Sequence, residues 1–138
     1  MTGLWVVLAA IAVTVAFGGY RRLTDGRVRQ VPGTPALDAT ALGAGLGSEV
    51  TFVQFSSPLC APCRSTAAVI ADLTGDQAGV VHIELDAAER LDLVSRFGIT
   101  RTPTVLVLDA TGAVRTRLVG PTRRDAVVAA FEQTRQAA

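Results

Sequence analysis

The sequence predicts an α/β domain, a mixed central β-sheet flanked by helices, with one transmembrane helix ahead of it. Three observations lead there. Beyond residue 48, stretches rich in β-branched residues alternate with stretches whose apolar residues recur every three to four positions. Residues 3–20, "GLWVVLAAIAVTVAFGGY", carry no charge. The chain's only two cysteines, Cys60 and Cys63, stand where the first of those strands gives way to the first helix.

The uncharged run comes first in order. Its 18 residues would span roughly 27 Å as a helix, against a bilayer hydrocarbon core of about 30 Å. Trp5 and Tyr20 would sit near the two interfaces. A cleaved signal peptide would carry basic residues before its apolar run, whereas here the arginines follow it. A buried core helix would keep a polar stripe, and this segment is apolar all round. Residues 1–20 are therefore read as an uncleaved anchor that contacts the lipid bilayer through residues 3–20. Arg21, Arg22, Arg27 and Arg29 follow directly, and basic residues beside a span favour the cytoplasmic side. That reading puts the domain at the cytoplasmic face, with the extracytoplasmic face as the alternative.

Residues 21–47 are polar and basic, then rich in glycine and proline, including Pro32, Gly33 and Pro35. They read as a tether with one short helix around residues 37–42. Residues 48–138 form the domain. The net charge is +1, aromatic residues make up 5% of the chain, and all 13 basic residues are arginine. So small a charge excess offers no nucleic-acid surface.

Within the domain, "VTFVQFS" from Val50 reads as a strand, residues 61–75 as a helix with Val69, Ile70 and Leu73 inward, and residues 79–86 as a second strand. Residues 87–98 read as a helix with Leu91, Val94 and Phe97 inward and Gly98 as its stop. "TPTVLVLD" and "AVRTRLVG" make a hairpin around the turn "ATG", the latter strand alternating Val114, Thr116 and Leu118 against Arg115, Arg117 and Val119. A closing helix begins after an expected Thr122 N-cap, with Asp125 three residues on as its capping-box partner.

The cysteine pair admits three readings. As a structural brace it is weak, since closing a four-residue loop contributes roughly 2 kcal/mol on the loop-entropy model. As a zinc site it is short of ligands, because His82 is the chain's one histidine. Soft-metal binding, Cu(I) above all, needs fewer ligands and stays open. As a redox couple the position is apt: a helix N-terminus offers unpaired N–H groups and a positive dipole end, which stabilise a thiolate, and Arg64 adds charge. Cys63, one turn further in, is placed to resolve what Cys60 attacks.

"VTFVQFSSPLCAPCRS", followed later by "GITRTPTVLVLDATGAV" and then "LVG", resembles the thioredoxin family and, more narrowly, its membrane-tethered bacterial members. The likeness covers residue 48 to the C-terminus. It implies a thioredoxin-like fold and a thiol-disulfide oxidoreductase, with Cys60 as nucleophile and Cys63 as resolving cysteine. Pro62 matches the proline that tunes the couple's potential, and Pro103 the proline whose preceding peptide bond is cis and faces the cysteines. Thr102 would offer its backbone to a substrate, Gly120 would lie across the same groove, and Leu59 takes the place of the tryptophan before the cysteines. Ala61 replaces the glycine between them. Gln54 stands where the family places a buried carboxylate that assists proton transfer. His82 stands where relatives place a lysine near it; it is read either as a proton partner for Cys63 or as a strand histidine with an ordinary hydrogen bond.

These features together predict a membrane-anchored reductase of protein disulfides. Its partners would be protein dithiols or disulfides and an electron-donating reductase or membrane electron carrier. The Cys60/Cys63 couple carries two electrons itself, so no metal or organic cofactor is expected. The competing class is a tethered module that binds or transfers Cu(I) through the same sulfurs.

Overall fold

The computed structural model describes residues 2–24, 28–31, 33–75 and 77–137. Arg27 and Pro32, read above as parts of the basic flank and the tether, lie outside them. Helix α1 runs Thr2–Thr24. Within it, Gly3–Thr24 has a mean hydropathy of 1.9 and none of it is buried. Among the described residues it is the one helix long and apolar enough to cross a membrane.

Strand β1 is Val28–Gln30 and the short helix α2 is Ala39–Leu42. The domain continues with β2 (Val50–Ser56), α3 (Ala61–Thr74), β3 (Val80–Asp86), α4 (Leu91–Arg96), β4 (Thr104–Asp109), β5 (Val114–Val119) and α5 (Arg124–Gln136). The strands form one mixed sheet in the order β1-β5-β4-β2-β3. β2 and β3 are parallel, as a strand–helix–strand connection requires, and the other pairs are antiparallel.

Each face of the sheet has its own apolar layer, because successive residues of a strand point to opposite sides. Val50, Phe52, Val105, Val107 and Leu118 meet Ile70 and Leu73 of α3 and Val127, Ala130 and Phe131 of α5. Val53, Phe55, Ile83, Leu85, Leu106 and Leu108 meet Leu93 of α4, Phe97 and Ile99 on the other side. The central strands β2 and β4 are buried throughout. Apolar residues accordingly occupy consecutive positions in both, Phe52 and Val53 in β2 and Val105 to Leu108 in β4, while Thr51, Gln54 and Ser56 are buried polar residues of β2.

Within the stretch read as a tether, β1 pairs with β5, and Leu37 and Leu42 are buried in the layer that holds α4. Leu37 N donates to Gly112 O at 2.9 Å. Gly112 has φ 81°, and a Cβ there would collide with the Leu37 carbonyl. Glycine is thus required at this turn for two reasons, its left-handed backbone and the close approach of Leu37.

Three local expectations are corrected. Leu91 is 64% exposed, and Leu93 is the buried residue of α4; α4 begins only at Leu91 because residues 87–89 form a turn, which rotates the apolar stripe. Thr122 does not cap α5. Its hydroxyl donates to Gly120 O at 3.0 Å, its N–H donates to the Thr66 hydroxyl at 3.3 Å, and Arg123 holds the N-cap position without a side-chain cap bond. Finally, the even alternation along β5 is broken. Val107 pairs with Thr116 but Leu108 with Val114, so Arg115 is an extra residue and Val114 falls in the opposite layer from Leu118.

Candidate active site

Cys60 is the N-cap of α3, with φ −90° and ψ 97°. The extended backbone turns its sulfur back over the helix start, where Sγ accepts from Cys63 N at 3.1 Å. Pro62 lies in the first turn, where a missing N–H costs no helical bond. Cys60 and Cys63 are joined in a disulfide, with S–S 2.10 Å and Cα–Cα 5.2 Å. Cys63 is 1% exposed while Cys60 is partly open. This asymmetry lets a reagent reach one sulfur and not the other.

The Thr102–Pro103 peptide bond is cis. Thr102 Oγ1 lies 3.9 Å from Cys60 Sγ and 3.3 Å from Ser57 Oγ, which brings the loop before β4 against the disulfide. Gly120 N donates to Pro103 O at 2.8 Å, fixing the end of β5 beside that loop. Leu59 is 97% exposed at the tip. Ala61, Pro62 and Arg64 are exposed as well. The site residues on β2, α3 and the segments flanking β4 and β5 thus converge at one end of the sheet.

Gln54 is wholly buried beneath the pair. Its Nε2 donates to Cys63 O at 2.9 Å and to Ser56 Oγ at 2.9 Å. Ser56 in turn donates to Glu84 Oε1 at 2.6 Å, and Gln54 Nε2 reaches the same oxygen at 3.5 Å. Gln54 and Glu84 are register partners across the parallel β2–β3 pair. A polar chain therefore runs from the Cys63 carbonyl through an amide and a hydroxyl to a carboxylate. A cavity of about 250 Å³ lies over it, lined by Ser56, Pro58, Cys60, Cys63, Glu84 and Asp86 among others. Glu84 and Ser56 escaped the sequence reading. Their only signal was the two-residue spacing that sets Gln54 with Ser56, and His82 with Glu84 and Asp86, each along one face of a strand.

His82 pairs in register with Phe52, one step of the pleat behind Gln54 and farther from the cysteines. Its Nε2 is buried and, among the described residues, has no hydrogen-bond partner. Burial holds its pKa below the ordinary value of 6.5, against the opposing pull of the Glu84 charge. Among the described residues no hydrogen bond joins His82 to Cys63, and Nε2 lacks the hydrogen bond expected of a strand histidine. Among the described residues no group of three or more His, Cys, Asp or Glu side chains is placed to hold a metal ion.

A family model described as Thioredoxin matches residues 44–133. Among curated proteins, the chain is 26% identical to the putative thioredoxin H10 of Arabidopsis thaliana over 97 residues, covering 70% of this chain and 62% of that one. It is 27% identical to thioredoxin H5 of Oryza sativa subsp. japonica over 102 residues, covering 74% of this chain and 75% of that one. Among solved structures, thioredoxin NaTrxh from Nicotiana alata superposes with a TM-score of 0.57 at 26% identity, over 64% of this chain and 75% of that one. A mutant thioredoxin from Halobacterium salinarum gives a TM-score of 0.56 at 24% identity, over 63% of this chain and 75% of that one, and speaks to the fold.

Proposed function

The chain belongs to the thioredoxin family of thiol-disulfide oxidoreductases, and we propose that it is a membrane-anchored member that reduces protein disulfides. One observation carries this reading: the Cys60–Cys63 disulfide at the N-terminus of α3, packed against the cis Thr102–Pro103 peptide. A fourteen-residue helix presents its positive end to Cys60 once the disulfide opens, favouring the thiolate that attacks.

In the reducing direction, Cys60 Sγ attacks one sulfur of a target disulfide. A mixed disulfide forms, and the other target sulfur leaves as a thiolate that takes up a proton. The Cys63 thiol then passes its proton to the Glu84 carboxylate across the cavity they share and attacks Cys60 Sγ. The Cys60–Cys63 bond forms, the mixed disulfide breaks, and the second target thiolate leaves and is protonated. Two electrons have moved from the pair to the target. A thioredoxin reductase or a membrane electron carrier restores the dithiol. Pro62, Ala61 and Arg64 tune the couple; Leu59, Thr102, Pro103 and Gly120 frame the substrate. Gln54 holds the Cys63 carbonyl and Ser56 in place, and His82 has no part in the proton path.

Helix α1 supports the anchor: residues 3–20 carry no charge, and none of the described residues covers the helix. Arg21 and Arg22 in its last turn favour a cytoplasmic domain. That compartment keeps thiols reduced and so suits a reductase.

Insulin reduction by the purified chain tests the activity. Cys60→Ser should abolish it, and Cys63→Ser should accumulate mixed disulfides. Full activity in Cys60→Ser would falsify the mechanism. Labelling of reduced Cys60 in intact cells with an impermeant reagent tests the topology; the cytoplasmic reading expects none.

A further inference from the structure

The first strand enters the sheet at the end that holds the disulfide. Val28 pairs with Leu118, Leu118 with Val105 and Val105 with Gln54. One row of register partners thus crosses the sheet from the start of β1 to the residue beneath Cys63. β1 then runs away from the site, Gln30 pairing with Thr116 and Val31 N reaching Arg115 O. Only three residues separate Thr24, the last of α1, from Val28. Four chain steps reach at most about 14 Å. Cys60 follows β2, three strand spacings from β1, or about 14 Å across the sheet.

We infer that the redox site faces the bilayer surface and that its partner is a cysteine pair of an integral membrane protein lying at the lipid interface. The inference rests on the reading of α1 as a membrane span. A span ending at Thr24 holds the site end of the sheet against the interface and turns the opposite end, with the β4–β5 turn, toward bulk solvent. The surface so presented matches that position. Leu59 is 97% exposed, with Pro58, Ala61 and Pro62 exposed around it, and Arg64 is an exposed cation beside them. An apolar tip with a basic neighbour complements an apolar membrane protein rimmed by anionic headgroups. The short link also holds the couple at high effective concentration for disulfides in the same membrane.

The test uses the full chain in liposomes. Flotation with the vesicles comes first; a chain that does not float refutes the anchor and this inference with it. In a Cys60→Ser/Cys63→Ser background, Leu59→Cys and Ala110→Cys each carry a fluorophore, and headgroup-labelled quencher lipid reports proximity. Quenching several-fold stronger at position 59 than at 110 is expected. In floating protein, equal quenching, or stronger quenching at 110, overturns the orientation and leaves the anchor standing. Inserting about twenty Gly/Ser residues after Thr24 should slow reduction of a disulfide displayed at the surface by a transmembrane peptide by about tenfold. Insulin reduction should be unchanged by the insertion. An unaltered rate on the transmembrane peptide overturns the assignment of the partner.

Discussion

The Ser56 hydroxyl donates a 2.6 Å hydrogen bond to the Glu84 carboxylate, one strand over from the position where the family places an acid. Gln54 fills that position with a neutral amide. The carboxylate is therefore linked to the Cys63 carbonyl from β3, through Ser56 and Gln54, lines the same cavity as the cysteines, and stays open to water.

Proton transfer by Glu84 predicts that Glu84→Gln slows resolution of the mixed disulfide while leaving its formation intact. The expected loss is on the order of 10- to 10²-fold, the low end of what a positioned acid-base group contributes. The groups around Glu84 are Asp86 and His82 on its own strand, Gln54 and Ser56 on β2, and Cys63 and Arg64 on α3. Stopped-flow measurement of the two steps across pH separates this from a structural role, because only a proton carrier alters the pH profile of the second step. Ser56→Ala should give a smaller loss, since it frees the carboxylate without removing it.

His82 predicts an acid-side loss of stability. Its folded pKa lies below the 6.5 of the free side chain because burial disfavours the charged ring. In acid the unfolded chain therefore binds its proton more readily than the folded one. Stability is complete above about pH 6.5 and falls as pH drops toward the folded pKa. Urea unfolding midpoints of the parent and His82→Gln should diverge in slope over that window. Parallel curves would remove the assignment.

Asp109 predicts a second acid dependence, at lower pH. Burial pushes its carboxyl up, but hydrogen bonds from Thr111 and Arg115 and from the Thr111 and Ala113 N–H groups outweigh it and hold the pKa below 3.8. Its contribution is present above the unfolded pKa and is lost as pH falls through the folded one. Asp109→Asn should lower stability at neutral pH by about 1–3 kcal/mol and flatten that acid limb, as read by thermal unfolding.

The turn at Gly112 predicts that the segment before residue 44 is part of the folded unit. Leu37→Ala should cost about 2–5 kcal/mol, as for other buried leucines. Gly112→Ala should also destabilise, through both backbone conformation and collision with Leu37. Denaturant midpoints shared by the two variants and by a deletion of residues 1–43 would mark one cooperative unit. A deletion as stable as the parent would show that the segment is dispensable.

Much of this was legible in the chain itself. Alternation and helical periodicity placed every strand and helix after residue 48 within a few residues, since those signals depend on neighbours a few positions apart. The Cys60–Cys63 spacing and Pro62 stood out as residue types with a constrained backbone or reactivity, and the family likeness added the distant Thr102–Pro103 pair, which the fold brings against the disulfide. Errors arose where a side chain's surroundings come from elsewhere in the chain. Thr122 looked like a cap and instead bonds Thr66 and Gly120; Leu91 looked inward until the preceding turn rotated α4.

What the sequence determined by itself is the order of elements, the long apolar N-terminal helix and the identity of the redox pair. The tertiary structure decided which side chains meet. The parallel register sets Gln54 beside Glu84, the extra residue at Arg115 moves Val114 to the other layer, and the antiparallel pairing of β1 brings the chain in at the site end of the sheet. Periodicity is a local property and is written into each segment. Register joins residues dozens of positions apart, and it is fixed only when both faces of the sheet close over their cores.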